Sequence, residues 1–172
     1  GQDFGYPTER IFTGTPSECL DSEFGDLCVA LIVNPDPDTR NPVGIPDEKF
    51  TRGDAPMTKS EVRALSVAKL KLSPDSVVYD VGAGTGSVSV EMALTAFEGR
   101  VYAIEREDMA ADLIEVNKRK FRASNIEVVR GLAPEAMTDL PAPTHAFIGG
   151  SAGNLRQIVQ CLLDKNPDVR IV

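Results

Sequence analysis

From Val77 onward, short runs rich in valine and isoleucine alternate with longer segments in which apolar residues recur three or four positions apart. The short runs are typical of buried strands, and the longer spacing is typical of helices that pack on a sheet. This alternation predicts a doubly wound α/β fold, in which a mostly parallel sheet has helices on both faces. The predicted strands are residues 77–81, 101–105, 126–129, 146–148 and 169–172, and the predicted helices begin near Ser87 and cover residues 109–121 and 154–163.

The first 56 residues have a different pattern, because they hold seven of the twelve prolines. A short helix is expected at residues 15–23 and one buried strand at residues 27–33, while the proline-rich residues 34–42 are typical of a linker. One strand and one helix cannot form a stable domain. We therefore expect this part to be the tail of something larger, or to pack on a partner or on the main domain. We also expect the sheet to be truncated after its fifth strand, which ends at the last residue.

Ahead of the first strand, Thr58-Lys-Ser-Glu61 has the spacing of a capping box, which predicts that a helix begins at Thr58. On the sequence alone, a helix cap and a ligand contact are equally good roles for Thr58. The preceding loop, residues 44–56, either covers a pocket or connects two parts of the chain.

A glycine-rich loop follows the first predicted strand, where residues 82–86 read Gly-Ala-Gly-Thr-Gly. A strand that ends here and continues as a helix leaves backbone N–H groups facing a bound ligand. The spacing is tighter than the G-x-G-x-x-G of dinucleotide sites, and it fits the amino-acid end of S-adenosylmethionine better than a pyrophosphate. The predicted cofactor contacts in this loop are Gly82, Ala83, Gly84, Thr85 and Gly86.

Two carboxylates end the first two strands. Glu105 lies 19 residues beyond Gly86, where a carboxylate can accept hydrogen bonds from ribose hydroxyls; a solvated surface charge is the alternative. Asp80 is expected to orient the loop or the cofactor's amine rather than to act as a base, because a carboxylate beside a cationic ligand stays ionised.

The loops after the third and fourth strands complete the expected pocket, since ligands of such sheets bind at the carboxyl ends of the strands. Ala133, beside the apolar Leu132, stands where an adenine ring could lie, and a plain loop before Pro134 is the alternative. The second loop either lets a bulky substrate approach closely or is a structural turn. Its candidate substrate contacts are Gly149, Gly150, Ser151 and Asn154.

No catalytic set of side chains can be assembled from the sequence. His145 is the only histidine and begins a strand, which favours a structural role, and neither a Ser/His/Asp set nor a metal motif is present. We predict no metal site and assign no residue to catalysis. Methyl transfer does not require one, because the sulfonium is already an activated electrophile and correct placement can supply most of the rate.

Composition and charge narrow the cellular setting. The 42% hydrophobic and 26% charged residues are typical of a soluble globular protein, and the longest apolar run, residues 27–33, is too short to span a bilayer. Residues 1–46 hold eight acids against two arginines, so the main domain is nearly neutral and lacks the basic face of a nucleic-acid binder. Three widely spaced cysteines favour a reducing cytoplasm over a disulfide framework.

The stretches Gly44-Ile-Pro-Asp-Glu-Lys-Phe50, Met57-Thr-Lys-Ser-Glu-Val-Arg-Ala-Leu65, Asp80-Val-Gly-Ala-Gly-Thr-Gly86, Ala133-Pro-Glu135 and Ile148-Gly-Gly-Ser151 occur in this order. Together they resemble the decarboxylating precorrin-6Y C(5,15)-methyltransferases of cobalamin biosynthesis. The resemblance covers residues 44–172 and implies a Rossmann-like class I S-adenosylmethionine-dependent methyltransferase domain. It also implies cofactor contacts at Thr58, residues 82–86, Glu105 and Ala133.

Residues 1–43 resemble the last segment of the tetrapyrrole methylase domain that precedes this domain in fused members of the family, followed by a proline-rich linker. A fused or associated methylase domain is therefore implied, and so is a tetramer, the assembly of stand-alone members. Because a precorrin carries carboxylates, cations near the cofactor are candidate substrate contacts. The candidates are Lys59, Arg63 and Arg156, with Arg52 in the covering loop.

The resemblance implies methylation of a precorrin at meso carbon fifteen, with decarboxylation of the ring C acetate. Two alternatives stay open. One is a methyltransferase that acts on RNA or protein, which the absence of an Asn-Pro-Pro-Tyr type of motif and of a basic surface disfavours. The other is a non-catalytic fragment that only binds the cofactor or helps assembly.

Overall fold

The computed structural model describes residues 1–33 and 42–172. The chain divides into a first unit, Gly1–Thr39, and a second unit, Arg40–Val172. The proline-rich stretch for which we expect a linker, residues 34–42, lies outside the described residues except for Pro42. Within the described ranges, no helix is both long and apolar enough to cross a bilayer.

The second unit is built on a parallel sheet. Its neighbouring strands all run parallel, and their chain order across the sheet is third, second, first, fourth, fifth. The order reverses between the first and fourth strands, and sheets of this kind bind ligands at such a switch point. The strands are β1 (Val77–Val81), β2 (Arg100–Glu105), β3 (Ile126–Arg130), β4 (His145–Ile148) and β5 (Arg170–Ile171).

Helices cover both faces of this sheet. Val78 in β1 belongs to one buried cluster with side chains of the three helices that precede β3, whereas the adjacent Tyr79 belongs to a second cluster with side chains of the last helix. Since successive strand residues point to opposite faces, the predicted doubly wound α/β architecture is confirmed. The helices are α1 (Pro16–Cys19) in the first unit and α2 (Ser60–Leu70), α3 (Ser87–Thr95), α4 (Asp108–Lys120) and α5 (Leu155–Lys165) in the second, with 3₁₀ turns at Asp47–Lys49 and Glu135–Met137.

The first unit differs from the prediction in both of its expected elements. The helix expected at residues 15–23 is only Pro16–Cys19, and it begins with a capping box between Thr15 and Glu18. The buried strand expected at residues 27–33 is wrong, because Cys28 forms only an isolated bridge and Leu31 is 88% exposed. A strand needs a neighbour for its N–H and C=O groups, and the described part of this unit contains no sheet.

The start of α2 is also different from the prediction. The helix begins at Ser60, its N-cap residue is Lys59, and no side chain caps it, so the capping box expected at Thr58 is wrong. The Thr58 carbonyl accepts a hydrogen bond from Arg63 Nη1 at 2.6 Å. The Arg63 guanidinium, in the first turn of α2, therefore fixes the backbone at Thr58, two residues before the helix begins.

Residues 42–58, which we call the strap, are anchored at their start by a buried ion pair. Glu91 in α3 accepts hydrogen bonds from the N–H groups of Gly44 at 3.0 Å and Ile45 at 2.9 Å. Arg63 Nε lies 2.6 Å from Glu91 Oε1, and the same guanidinium donates to the Ile45 carbonyl. Both charged side chains are fully buried, so each depends on the other for compensation.

The middle of the strap runs along one face of α4. Three strap residues contact two positions of α4 and the residue directly after it, at intervals of four residues, and such positions share one face of a helix. The ring centroids of Phe50 and Phe121 are 4.6 Å apart, Thr51 N donates to Asn117 Oδ1 at 2.8 Å, and a Cβ on Gly53 would lie 3.0 Å from Leu113. The strap is therefore part of the packed domain rather than a free loop.

We expect Arg63→Met to lower the free energy of unfolding by about 3–5 kcal/mol, because Glu91 would keep an uncompensated buried charge. Urea denaturation followed by circular dichroism measures this loss. The double variant Arg63→Met/Glu91→Gln should be less destabilised than the sum of the two single variants, since they share one interaction. A loss below about 1 kcal/mol for Arg63→Met, the value of a surface pair, would contradict the anchoring role.

Candidate functional site

A cleft of about 480 Å³ lies at the carboxyl ends of the strands, next to the switch point between β1 and β4. This volume is within the roughly 300–1,000 Å³ of small-molecule sites. The strap, the ends of β1 and β2, and the loops after β3 and β4 form its walls. The residues predicted as site residues that line it are Thr58, Asp80, Gly82, Ala83, Gly84, Glu105, Ala133, Gly149, Gly150 and Ser151.

Close backbone contacts bring the walls of the cleft together at two glycines of the first loop. Gly82 has a φ of +72°, and a Cβ there would lie 2.7 Å from the backbone of Gly150. The Gly150 N–H donates to the Val81 carbonyl at 3.1 Å, which joins the ends of β1 and β4. A Cβ on Gly84 would lie 2.8 Å from the Pro56 carbonyl oxygen of the strap. Residues without a side chain are therefore required at both contacts.

The last two residues of the glycine loop face α4 instead of the cleft. Thr85 is buried, and its carbonyl accepts a hydrogen bond from Asn117 Nδ2 at 2.9 Å. A Cβ on Gly86 would lie 2.9 Å from Ile114. The structure therefore does not bring Thr85 and Gly86 to the cleft, although the sequence predicts both as cofactor contacts. They close the loop onto the helix.

Glu105 is held at the cleft by three backbone N–H groups. Its Oε2 accepts from Gly84 N at 2.8 Å, and its Oε1 accepts from Arg106 N at 2.9 Å and Glu107 N at 3.0 Å. An ionised carboxylate offers about four acceptor sites, so about one is left for a ligand hydroxyl. Acceptance of a second hydroxyl would require one of these three N–H groups to move away.

Asp80 is a fully buried carboxyl group in the wall of the cleft. Ser89 Oγ donates to its Oδ2, while its Oδ1 has no hydrogen-bond partner. The pKa of Asp80 is raised to about 7, chiefly by burial; the hydrogen bond from Ser89 lowers this pKa, and the nearby negative charge of Glu105 raises it. A cationic ligand group beside Oδ1 would favour the ionised form and would compensate the buried charge.

The two remaining loops meet through one side chain. Asn154 Nδ2 donates to the Ala133 carbonyl at 3.1 Å, so this predicted substrate residue ties the loop after β4 to the loop after β3. Ala133 is buried in the cleft wall, and Leu132 beside it is 41% exposed. An apolar surface next to Glu105 is therefore present where we expect an adenine ring.

The cations predicted to contact a substrate do not line the cleft. The expectation for Arg63 is wrong, because this side chain is fully buried and paired with Glu91. Lys59 is exposed and lies 3.6 Å from a strap carboxylate, and the exposed Arg156 borders a separate depression on α5. Arg52 is exposed on the strap, outside the cleft lining.

Sequence reasoning missed a cation at the mouth of the cleft. Arg106 directly follows Glu105 and lines the cleft, with its Nε 3.0 Å from Glu107 Oε1. Its position after the last residue of β2 was the available signal, because chain that leaves a parallel strand stays at the ligand-binding edge. Met57 and Phe147 also line the cleft, and nothing in their local sequence indicated this.

His145 lies at the opposite end of β4 from the cleft, as expected for a structural residue. Its Nδ1 is 2.8 Å from Thr144 Oγ1, and burial, together with the charge of Arg170, lowers its pKa. Among the described residues, no three His, Cys, Asp or Glu side chains are grouped as a metal site would require.

Comparison with known proteins points to the same family as the motifs of the sequence. A family model described as a precorrin methyltransferase domain matches residues 48–172. A probable cobalt-precorrin-6B C(15)-methyltransferase (decarboxylating) of Pyrobaculum calidifontis is 45% identical over 125 residues, which are 71% of this chain and 64% of that protein. The cobalt-precorrin-6B C(15)-methyltransferase (decarboxylating) of Salmonella typhimurium is 46% identical over 114 residues, 66% of this chain and 58% of that protein. This chain thus spans less than two thirds of the length of both relatives.

A solved structure extends the comparison to the fold. The crystal structure of precorrin-6y C5,15-methyltransferase from Geobacter metallireducens matches with a TM-score of 0.69 and 40% identity, over 72% of this chain and 66% of that one. The predicted Rossmann-like methyltransferase fold and the family resemblance are therefore confirmed. The assignments of individual cofactor and substrate residues stay predictions, as does the assignment of residues 1–43 to a preceding domain.

The raised pKa of Asp80 predicts how Asp80→Asn changes stability with pH. Between about pH 4 and pH 7 the folded chain holds a proton on Asp80 that the unfolded chain releases, so this group's contribution to stability is present at low pH and is lost as the pH rises to about 7. We therefore expect the variant to gain stability relative to the natural chain as pH rises, by at most about 1.4 kcal/mol per pH unit. Urea denaturation at several pH values measures the difference.

The same series in about 0.5 M salt is the control, because salt screens surface charges and leaves a buried carboxyl nearly unaffected. A difference between the two proteins that does not change from pH 5 to pH 8 would contradict the raised pKa.

Proposed function

The chain belongs to the precorrin methyltransferase family, and we propose that its cleft binds S-adenosylmethionine for the methylation of a precorrin. The proposed reaction is methylation of meso carbon fifteen with decarboxylation of the ring C acetate, in cobalamin biosynthesis. The observation that carries the proposal is the Glu105 carboxylate, fixed by Gly84 N–H at 2.8 Å in the wall of a cleft at the switch point of the sheet.

The walls of the cleft match the parts of this cofactor in order. Glu105 would accept a ribose hydroxyl, and Leu132 and Ala133 would contact the adenine from one side, with the Arg106 side chain near the same end. At the other end, the partnerless Oδ1 of the buried Asp80 would accept from the cationic amine. Thr58, Gly82, Ala83 and Gly84 would contact the amino-acid portion, since all of them line the cleft beside Asp80.

Bound S-adenosylmethionine would supply an electrophilic methyl group for transfer to a substrate carbon. The residues of this chain would then place the substrate carbon near the methyl group and exclude water. Correct placement can supply most of the rate. Gly149 and Gly150 have no side chains to block a bulky substrate, and Ser151 would offer a hydroxyl at the mouth.

The relatives' names support the substrate class, since both relatives are named for carbon fifteen of cobalt-precorrin-6B and for decarboxylation.

We further propose that the first unit is the end of a tetrapyrrole methylase domain, fused or associated, and that the protein acts in the cytoplasm as a homo-oligomer. Gly1–Thr39 forms its own unit and exposes apolar side chains such as Leu31. Both observations support a partner surface that would cover these side chains.

Isothermal titration with S-adenosylhomocysteine tests the cofactor proposal. We expect saturable binding by the natural chain and a loss of about 10- to 100-fold in affinity for Glu105→Ala, because a hydrogen bond to a charged group contributes about 1.5–3 kcal/mol. Glu127→Ala is the matched control, since this half-exposed carboxylate lies on β3 and pairs with Arg100 at 3.9 Å. Equal affinity of the Glu105 variant and the natural chain would contradict the ribose role.

Incubation with S-adenosylmethionine and precorrin-6B tests the substrate proposal. Mass spectrometry should show a product that has gained one methyl group and lost carbon dioxide. Cofactor binding without turnover would favour the alternative of a non-catalytic fragment, whereas salt-sensitive retention on RNA would favour a nucleic-acid substrate.

A further inference from the structure

A fully buried asparagine joins the strap to the glycine loop. Asn117 in α4 accepts a hydrogen bond from Thr51 N at 2.8 Å through Oδ1, and its Nδ2 donates to Thr51 O at 3.0 Å and to Thr85 O at 2.9 Å. Both N–H groups and the carbonyl of the amide are therefore used. A neutral amide at this position satisfies one donor and two acceptors that an apolar or charged side chain would leave unpaired.

Both bonded segments contribute lining residues to the cleft a few residues away. Five residues beyond Thr51, the Pro56 carbonyl lies 2.8 Å from the position of a Cβ on Gly84, and Met57 and Thr58 line the cleft. Thr85 directly follows Gly84, whose N–H donates to Glu105. Asn117 therefore ties the strap, five residues before Pro56, to the loop, one residue after Gly84.

The other polar anchors of the strap act at different places. Glu91 binds the strap at Gly44 and Ile45, and Arg63 binds it at the Ile45 and Thr58 carbonyls. These contacts fix the two ends of the strap to α2 and α3. The hydrogen bonds of Asn117 instead connect the middle of the strap with the loop that carries the Glu105 contact.

We propose that Asn117 is a positioning residue, which sets the width of the cofactor cleft by holding the strap and the glycine loop at one fixed separation. This inference rests on the proposed function, because it assigns the cleft to S-adenosylmethionine. Asn117 does not line the cleft and acts through Thr51 and Thr85. The strap is then a fixed wall of the cleft.

Asn117→Asp tests the proposal with a side chain of the same size. An ionised carboxylate cannot donate to the two carbonyls, so the strap should detach locally from α4. We expect trypsin to cleave after the exposed Arg52, next to Thr51, about tenfold faster under native conditions, and the dissociation constant for S-adenosylhomocysteine to rise about tenfold.

Asn125→Asp is the matched control. Asn125 is a partly buried asparagine whose Nδ2 donates to the carbonyls of Ala93 and Ala96, remote from the cleft. This variant should lower the melting temperature without faster cleavage at Arg52 or weaker binding. A purely structural role of Asn117 would make the two variants behave alike, and that result would overturn the proposal.

Hydrogen exchange of the natural chain gives a second test that needs no variant. The Thr51 amide, which donates to Asn117, should exchange more slowly when S-adenosylhomocysteine is bound, together with the Gly84 amide. An unchanged Thr51 amide in the bound chain would overturn the proposal. If the natural chain does not bind the ligand at all, the proposed function fails, while faster cleavage at Arg52 in Asn117→Asp would still assign the strap contact to Asn117.

Discussion

The cleft depends on the close approach of two backbones, at Gly82 after β1 and Gly150 after β4. A Cβ on Gly82 would lie 2.7 Å from the Gly150 backbone, a distance that real Cβ atoms do not reach. The contact joins the ends of β1 and β4 at the switch point of the sheet, and the ligand cleft lies next to it. Because Gly82 also has a φ of +72°, any other residue there would be strained as well as blocked.

Buried polar side chains then fix the strap, which forms another wall of the cleft. Glu91 and Arg63 are both fully buried, and Asn117 is buried with all of its hydrogen-bonding groups used. Such groups cost free energy to desolvate and are tolerated only when their partners are complete. They bind a strap that has no regular secondary structure beyond one 3₁₀ turn, so its path depends on these few partners.

The sequence was sufficient to predict the architecture and the site residues at the strand ends. It did not predict side-chain contacts whose two partners lie far apart along the chain. The period of apolar residues located all five strands of the sheet, and the Glu105 position follows from the end of β2. Arg63 was expected to contact a substrate carboxylate, yet it is buried against Glu91, which is 28 residues away. Asn117 was not noticed at all, since its partners are 66 and 32 residues away.

Local patterns misled where tertiary context decided otherwise. Thr58 and Glu61 have capping-box spacing, but α2 begins at Ser60 because Arg63 holds the preceding carbonyl. The apolar residues 27–33 have the composition of a buried strand, but the described first unit offers them no sheet to join. The first error depends on a guanidinium whose place is fixed by Glu91, 28 residues away, and the second depends on the absence of a neighbouring strand in the described first unit.

A crystal structure of the chain with S-adenosylhomocysteine tests the central claim most directly, that the cleft beside the glycine loop is a cofactor site organised by Glu105. The account predicts a ribose hydroxyl within hydrogen-bond distance of a Glu105 carboxylate oxygen and the adenine against Leu132 and Ala133. A ligand bound elsewhere, or bound in the cleft with its ribose turned away from Glu105, would contradict it.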